Sequence, residues 1–152
     1  MNSKNYLSKT FIRYANNIQI DTNKTFIIPS NLNIEIKYTR TKGYGVFATS
    51  NFQSGDVIEK CYCVPVTKNL ENVPSFLKNY VFKYVISDTE DTLVLPLGYG
   101  SIYNHSNNNN AKWEKAEEHM FFNFIAVKDI NKGEEICTNY GVSYLQRHNL
   151  NG

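Results

Sequence analysis

The 152-residue sequence contains no run of five or six like charges, and its net charge is only +2. Nothing in that balance points to a nucleic-acid groove or to a charged membrane face. No apolar stretch is long enough to span a bilayer, and Met1-Asn2-Ser3-Lys4-Asn5 lacks the apolar core of a signal peptide. An intracellular protein is expected. The three cysteines are an odd number, which argues against a disulfide framework. Zinc would need a fourth ligand, and His105, His119 and His148 show no ligand spacing, so no metal is expected. Cys61 and Cys63 would share one face of a strand and read as buried thiols. There is no repeat and no βαβ alternation. Gly43-Tyr44-Gly45 lacks the third glycine and the following helix of a dinucleotide site. No Ser/His/Asp set, no Cys/His set and no paired carboxylates suited to hydrolysis stand out.

Aromatic residues, by contrast, are abundant: 14% of the chain, with 11 Tyr and 9 Phe. Such an excess fits a β-rich core or a pocket built from ring faces. The length suits one domain with a real core and no need for covalent staples.

Residues 1–31 are polar with scattered apolar clusters and read as an extension packing on the body, with one strand at Thr25–Ile28. From residue 32 to 152 the chain reads as the domain proper. Leu32, Ile34, Ile36 and Tyr38 alternate with polar residues, the pattern of a half-buried strand. Tyr44–Ala48 reads as a second strand with a glycine inside it, a mark of close backbone approach. Val57–Val66, Thr92–Leu97, Phe121–Val127 and Glu135–Tyr140 read as further strands, separated by turns such as Ser54-Gly55-Asp56 and Asn131-Lys132-Gly133. Pro74 followed by apolar residues at helical spacing predicts a short helix over 74–82. The expected class is mainly β (α+β), with many short strands and one or two short helices.

The chemistry-bearing stretch is Tyr103-Asn104-His105-Ser106, a poor strand and a poor helix because Asn and Ser side chains bond nearby backbone. If it is buried, its backbone polar groups need specific partners. Tyrosines crowd the turns: Tyr44 between two glycines, Tyr99 and Tyr103 beside the Asn-His-Ser triplet, Tyr140 before Gly141. Ring faces around a narrow site favour a cationic or alkylammonium guest. Each ring also reads as an ordinary core or turn tyrosine. Asn104-His105 also reads as a capped turn with a satisfied histidine, and Glu134-Glu135 as turn charges.

Three stretches in order, Gly43-Tyr44-Gly45 followed by Val46-Phe47-Ala48, Asn104-His105-Ser106, and Gly133-Glu134-Glu135-Ile136 through Tyr140-Gly141, resemble the SET-domain protein lysine methyltransferases. Glu59-Lys60-Cys61-Tyr62-Cys63-Val64 and Leu97–Ser106 are similar to the compact viral-type members that lack cysteine-rich flanks. The resemblance implies a β-clip fold whose C-terminal strand forms a pseudoknot with the Asn104-His105 segment. It implies S-adenosyl-L-methionine as cofactor, held by Lys42, Gly43, Tyr44, Gly45, Asn104, His105 and Tyr144. A side chain at Gly43 or Gly45 would then obstruct the cofactor. It implies Tyr140 as the catalytic tyrosine, and a substrate lysine channel formed by Tyr44, Tyr80, Tyr103, Trp113, Thr138 and Tyr140. The partner it implies is a protein or peptide, with a histone tail favoured; homodimerisation is also expected of the compact type. A non-histone protein substrate and a catalytically silent module that binds a protein tail are the alternatives.

The sequence departs from the family pattern at three points. Asn109-Asn110 stands where Pro-Asn is usual, which implies a less rigid loop. Asn139 stands where an acidic residue is common. Thr138 stands where an aromatic often helps to set the number of methyls added, and Trp113 is the candidate to replace it.

Overall fold

The computed structural model describes residues 33–141. Nine strands occur among them: β1 (Ile34–Thr39), β2 (Gly43–Ala48), β3 (Val57–Thr67), β4 (Phe82–Ser87), β5 (Glu90–Pro96), β6 (Asn104–His105), β7 (Ala111–Lys115), β8 (Phe121–Ala126) and β9 (Glu135–Thr138). They form two sheets, one of four strands in the order β1-β2-β9-β6 and one of five in the order β4-β5-β3-β8-β7. The mainly β class holds.

The five-stranded sheet carries most of the core. Along β8, Phe122, Phe124 and Ala126 are buried while their neighbours are half-exposed, the alternation that a one-sided strand requires. Tyr84 from β4 packs against Phe122, and Phe82 packs against Trp113. Cys61 and Cys63 lie buried on one face of β3, as expected, and Cys137 is buried in β9.

Three expectations about local structure need correction. The helix expected over 74–82 is one 3-10 turn at Ser75–Leu77, with another at Leu70–Asn72; β4 begins at Phe82. Phe82, Tyr84 and Ile86 also fit a period of two, and pairing with β5 realises that period. The Asn-His pair is not irregular chain but the two-residue strand β6, parallel to β9 with Asn104 opposite Cys137 and His105 opposite Thr138. β1 is an edge strand, and only Ile34 is buried; Ile36 and Tyr38 are exposed. The expected extension at 1–31, the strand at Thr25–Ile28 and the tail beyond residue 141 lie outside the described residues.

Candidate active site

The sheet order places the three motifs side by side. β2 carries the glycine pair, β9 follows the Gly-Glu-Glu turn, and β6 is Asn104-His105; β9 lies between the other two. Segments far apart in the chain therefore meet through one short central strand.

Side chains stitch these strands together. Asn104 Nδ2 donates to Glu135 Oε1 at 2.7 Å and to the Tyr44 carbonyl at 3.2 Å. A Cβ on Gly45 would stand 2.6 Å from Glu135 Oε1 and 2.7 Å from Asn104 Nδ2. The Asn104–Glu135 pair thus occupies the space beside Gly45 where a side chain would project. Gly43 has φ +76 and open space where a Cβ would project.

Lys42 Nζ lies 3.1 Å from Glu135 Oε2 and 3.8 Å from Cys137 Sγ. Partial burial pulls the ammonium's pKa down, but the hydrogen bond to Glu135 together with the charges of Cys137 and Glu135 outweighs it and the net direction is up. Burial pushes the Cys137 thiol up to about 11.

The tyrosine after β9 is held at two points. The Tyr140 hydroxyl donates to the Tyr103 carbonyl at 2.6 Å, and its backbone N–H donates to His105 Nδ1 at 3.2 Å. Because Nδ1 accepts, the neutral imidazole carries its proton on Nε2, which faces Asn107 Oδ1 at 3.0 Å. Asn139 Oδ1 accepts from the Gly141 N–H, shaping the turn around Tyr140. An aspartate there could accept the same bond, so Asn139 leaves this turn intact.

The Asn109-Asn110 departure also loses its weight. Asn110 donates to the Glu135 carbonyl and accepts from the Cys137 N–H, both at 2.8 Å, clamping the backbone of β9. Asn109 Nδ2 donates to the Ala111 carbonyl, and Asn108 N–H to Ser106 Oγ. The loop expected to be less rigid is tied at each of these residues.

Of the proposed channel residues, Tyr44 is exposed and meets Tyr38 edge-on at 5.4 Å. Tyr80 is exposed, and its carbonyl accepts the Ser101 hydroxyl. Thr138 is buried in register with His105. Two residues need correction. The Tyr103 ring is buried, stacked on Phe124 at 4.6 Å, with its hydroxyl donating to Glu59; it offers the site its carbonyl and not its ring. Trp113 is half-buried and packs its ring on Phe82 and Phe122 of the five-stranded sheet. Tyr144 lies outside the described residues.

Glu59 was not singled out from the sequence as a site residue, and Glu135 and Asn110 were read only as a turn charge and as a departure in the loop. Glu59 had a readable signal: it stands on the same strand face as Cys61 and Cys63, a carboxylate at a core position. Burial pushes its carboxyl up, opposed by hydrogen bonds from the Tyr99 N–H, the Tyr103 hydroxyl and the Cys61 thiol.

The model of the SET domain matches residues 43–141. The chain belongs to the SET-domain family. Over 109 residues it is 29% identical to the Schizosaccharomyces pombe histone-lysine N-methyltransferase specific for H3 lysine-37, covering 71% of this chain and 73% of that one. A crystal structure of a candidate histone methyltransferase from Plasmodium falciparum superposes with a TM-score of 0.62 at 30% identity, covering 75% of this chain and 97% of the other. With these relatives, this SET domain is an enzyme of the protein-lysine methyltransferase class. Among the described residues no group of His, Cys, Asp or Glu could hold a metal, and no helix is long and apolar enough to cross a membrane.

Proposed function

We propose that this SET domain methylates a lysine of a histone tail, with S-adenosyl-L-methionine as donor and Tyr140 at the reaction centre. The observation that carries this reading is the Tyr140 hydroxyl, fixed on the Tyr103 carbonyl at 2.6 Å beside the three adjoining motif strands.

The residues present suit the cofactor. Among the described residues β6 ends its sheet, and its outer backbone edge has no strand partner there. Open space adjoins Gly43, and the Lys42 ammonium beside it suits a carboxylate. Lys42, Gly43, Tyr44, Asn104 and His105 would hold the molecule, mainly through backbone groups. When bound, S-adenosylmethionine supplies an activated methyl on a positively charged sulfur.

The chain's own residues have two tasks. The first is to accept a neutral lysine amine. A free lysine has a pKa of ~10.4, so neutralising it at pH 7 costs roughly 5 kcal/mol. The rings of Tyr44, Tyr80 and Tyr140 would lower that cost by desolvating the ammonium. The second task is orientation, which removes much of the remaining barrier. Because its proton is directed at the Tyr103 carbonyl, Tyr140 Oη would meet the transferring methyl as an acceptor of weak CH···O contacts. No strong general base is required.

A histone substrate is favoured because the fission-yeast relative is named for one and the Plasmodium relative for its class. Such a substrate implies a place at chromatin. The Glu59–Val64 and Leu97–Ser106 stretches support placement with the compact viral-type members, and with it pairing into a homodimer, which sedimentation would test.

The deciding experiment is incubation with tritiated S-adenosylmethionine and a panel of core histones and ribosomal proteins, with Tyr140→Phe alongside. One labelled histone, and a rate at least about 100-fold lower in the variant with cofactor binding retained, is the expected result. Label only on a ribosomal protein would move the substrate to a non-histone protein. Near-normal turnover by Tyr140→Phe would remove that residue's role.

A further inference from the structure

We infer that Glu59 is a positioning residue for methyl transfer: its buried carboxylate fixes the Tyr103 side chain and so the carbonyl that receives the Tyr140 hydroxyl. The inference rests on the reading of Tyr140 as the catalytic tyrosine.

Glu59 is 4% exposed on β3, and among the described residues no ion pair reaches it. Burying a carboxylate without a cation is expensive, and an apolar residue would satisfy packing at least as well. The carboxylate must therefore do something that an apolar side chain cannot. Its two oxygens both serve the loop between β5 and β6. Oε1 accepts the Tyr99 N–H at 2.8 Å, and Oε2 accepts the Tyr103 hydroxyl at 3.0 Å.

The rest of the loop is arranged around this anchor. Gly98 has φ +78, and a Cβ there would press directly on Glu59 Oε1. The Ile102 N–H closes a turn on the Tyr99 carbonyl at 2.7 Å. Leu97 N–H is tied to the Tyr62 carbonyl of β3, and Ser101 Oγ reaches the carbonyls of Tyr80 and Pro96. The Tyr103 ring is then held between its stack on Phe124, with an interplanar angle of 19°, and the carboxylate at its tip. A ring fixed at both face and tip leaves its own peptide little freedom. That peptide carries the carbonyl 2.6 Å from Tyr140 Oη, and the next residue opens β6. The path from Glu59 to the reaction centre thus runs through a single residue.

The test compares the full-length protein with Tyr103→Phe, Glu59→Gln, Glu59→Leu and Tyr140→Phe. Tyr103→Phe keeps the ring stack and loses only the hydroxyl. The readouts are kcat, cofactor affinity by calorimetry with S-adenosylmethionine, and the NMR resonance of Tyr140 in protein carrying 13C at the tyrosine Cζ. The expected result for Tyr103→Phe is a kcat lower by about tenfold, the scale of a slightly misplaced group. Cofactor affinity stays within about twofold, and the Tyr140 resonance shifts. Glu59→Gln still accepts from the Tyr99 N–H and can donate to the Tyr103 oxygen, so it keeps most of the rate; Glu59→Leu does not. If Glu59→Leu fails to fold, Tyr103→Phe decides. An unchanged kcat and an unmoved Tyr140 resonance in Tyr103→Phe, while Tyr140→Phe is inactive, would overturn the inference. Full activity in Tyr140→Phe would instead bring down the catalytic reading beneath it.

Discussion

In the five-stranded sheet, β3 and β8 face each other from Val57↔Ile125 to Tyr62↔Phe121, and aromatic rings fill the face between β4, β7 and β8. In the four-stranded sheet, β9 meets β2 over two register pairs and β6 over two more. Backbone ladders and ring burial hold the first region. Beyond the β1–β2 ladder, the second is tied by Asn104 to Glu135, Asn110 to two backbone groups of β9, and His105 to Tyr140. The difference separates two tasks. Non-directional burial supplies stability, whereas directional bonds hold a short strand in the one register that aligns three motifs. Variants in the first region should lose stability, and variants in the second should lose the site before the fold.

The largest effect should come from Phe122→Ala. Phe122 is 1% exposed and packs against Phe82, Tyr84 and Trp113. Truncating such a ring costs about 3–5 kcal/mol, which a urea titration would register as a lower midpoint for the whole domain. A loss under about 1 kcal/mol would show that this sheet is not the stabilising region.

Gly45→Ala comes next. The new Cβ must displace the end of the Glu135 or the Asn104 side chain. Overpacking of this kind costs about 1–3 kcal/mol. Cofactor binding, followed by calorimetry, should fall well out of proportion to the lost stability. Equal loss of both would merge the two regions into one.

Asn110→Ala should be milder, at about 1–2 kcal/mol, because it strips two bonds from the β9 backbone. Its marker is local: hydrogen exchange at the Cys137 amide should accelerate while amides of β8 keep their protection. Uniform acceleration in both strands would contradict the separation.

The effect that is smallest near neutral pH, because it sets in only above pH 9, is a pH dependence shared between the sheets. Burial pushes the Cys63 thiol up to about 12 and Cys137 up to about 11, from an ordinary value of 9.0. Above pH 9 the unfolded chain ionises its thiols while the folded chain keeps its protons. Stability is therefore fully present below pH 9 and is lost as pH rises through 11 and 12. Cys63→Ala and Cys137→Ala should each flatten that decline in a denaturation series. An unaltered slope in both would mean that other groups carry it.

Much of this molecule could be read along the chain. Strand-prone runs bounded by turn residues predicted β3, β5 and β8 to within a few residues, because turn chemistry and strand tendency are local properties of the chain. The three motifs identified the family, since glycine pairs and an Asn-His pair are spelled out in consecutive residues. The helix over 74–82 was misread because its apolar residues fit both periods, and only a neighbouring strand chooses between them. β6 and β7 were missed for a related reason: Asn104 in the first and Ala111, Lys112, Glu114 and Lys115 in the second have little strand tendency of their own, and pairing with β9 and β8 supplies the missing preference.

The amino-acid order thus specified which face of each strand is apolar, where the chain turns, and which residue types could do chemistry, because these follow from neighbours in the chain. It did not specify that Tyr103 sends its ring to Glu59 and its carbonyl to Tyr140, that Asn110 clamps β9, or that Gly45 makes room for an Asn–Glu pair. Each of those joins residues dozens of positions apart. Their hydrogen bonds depend on distance and angle, which exist only after β9 has entered between β2 and β6.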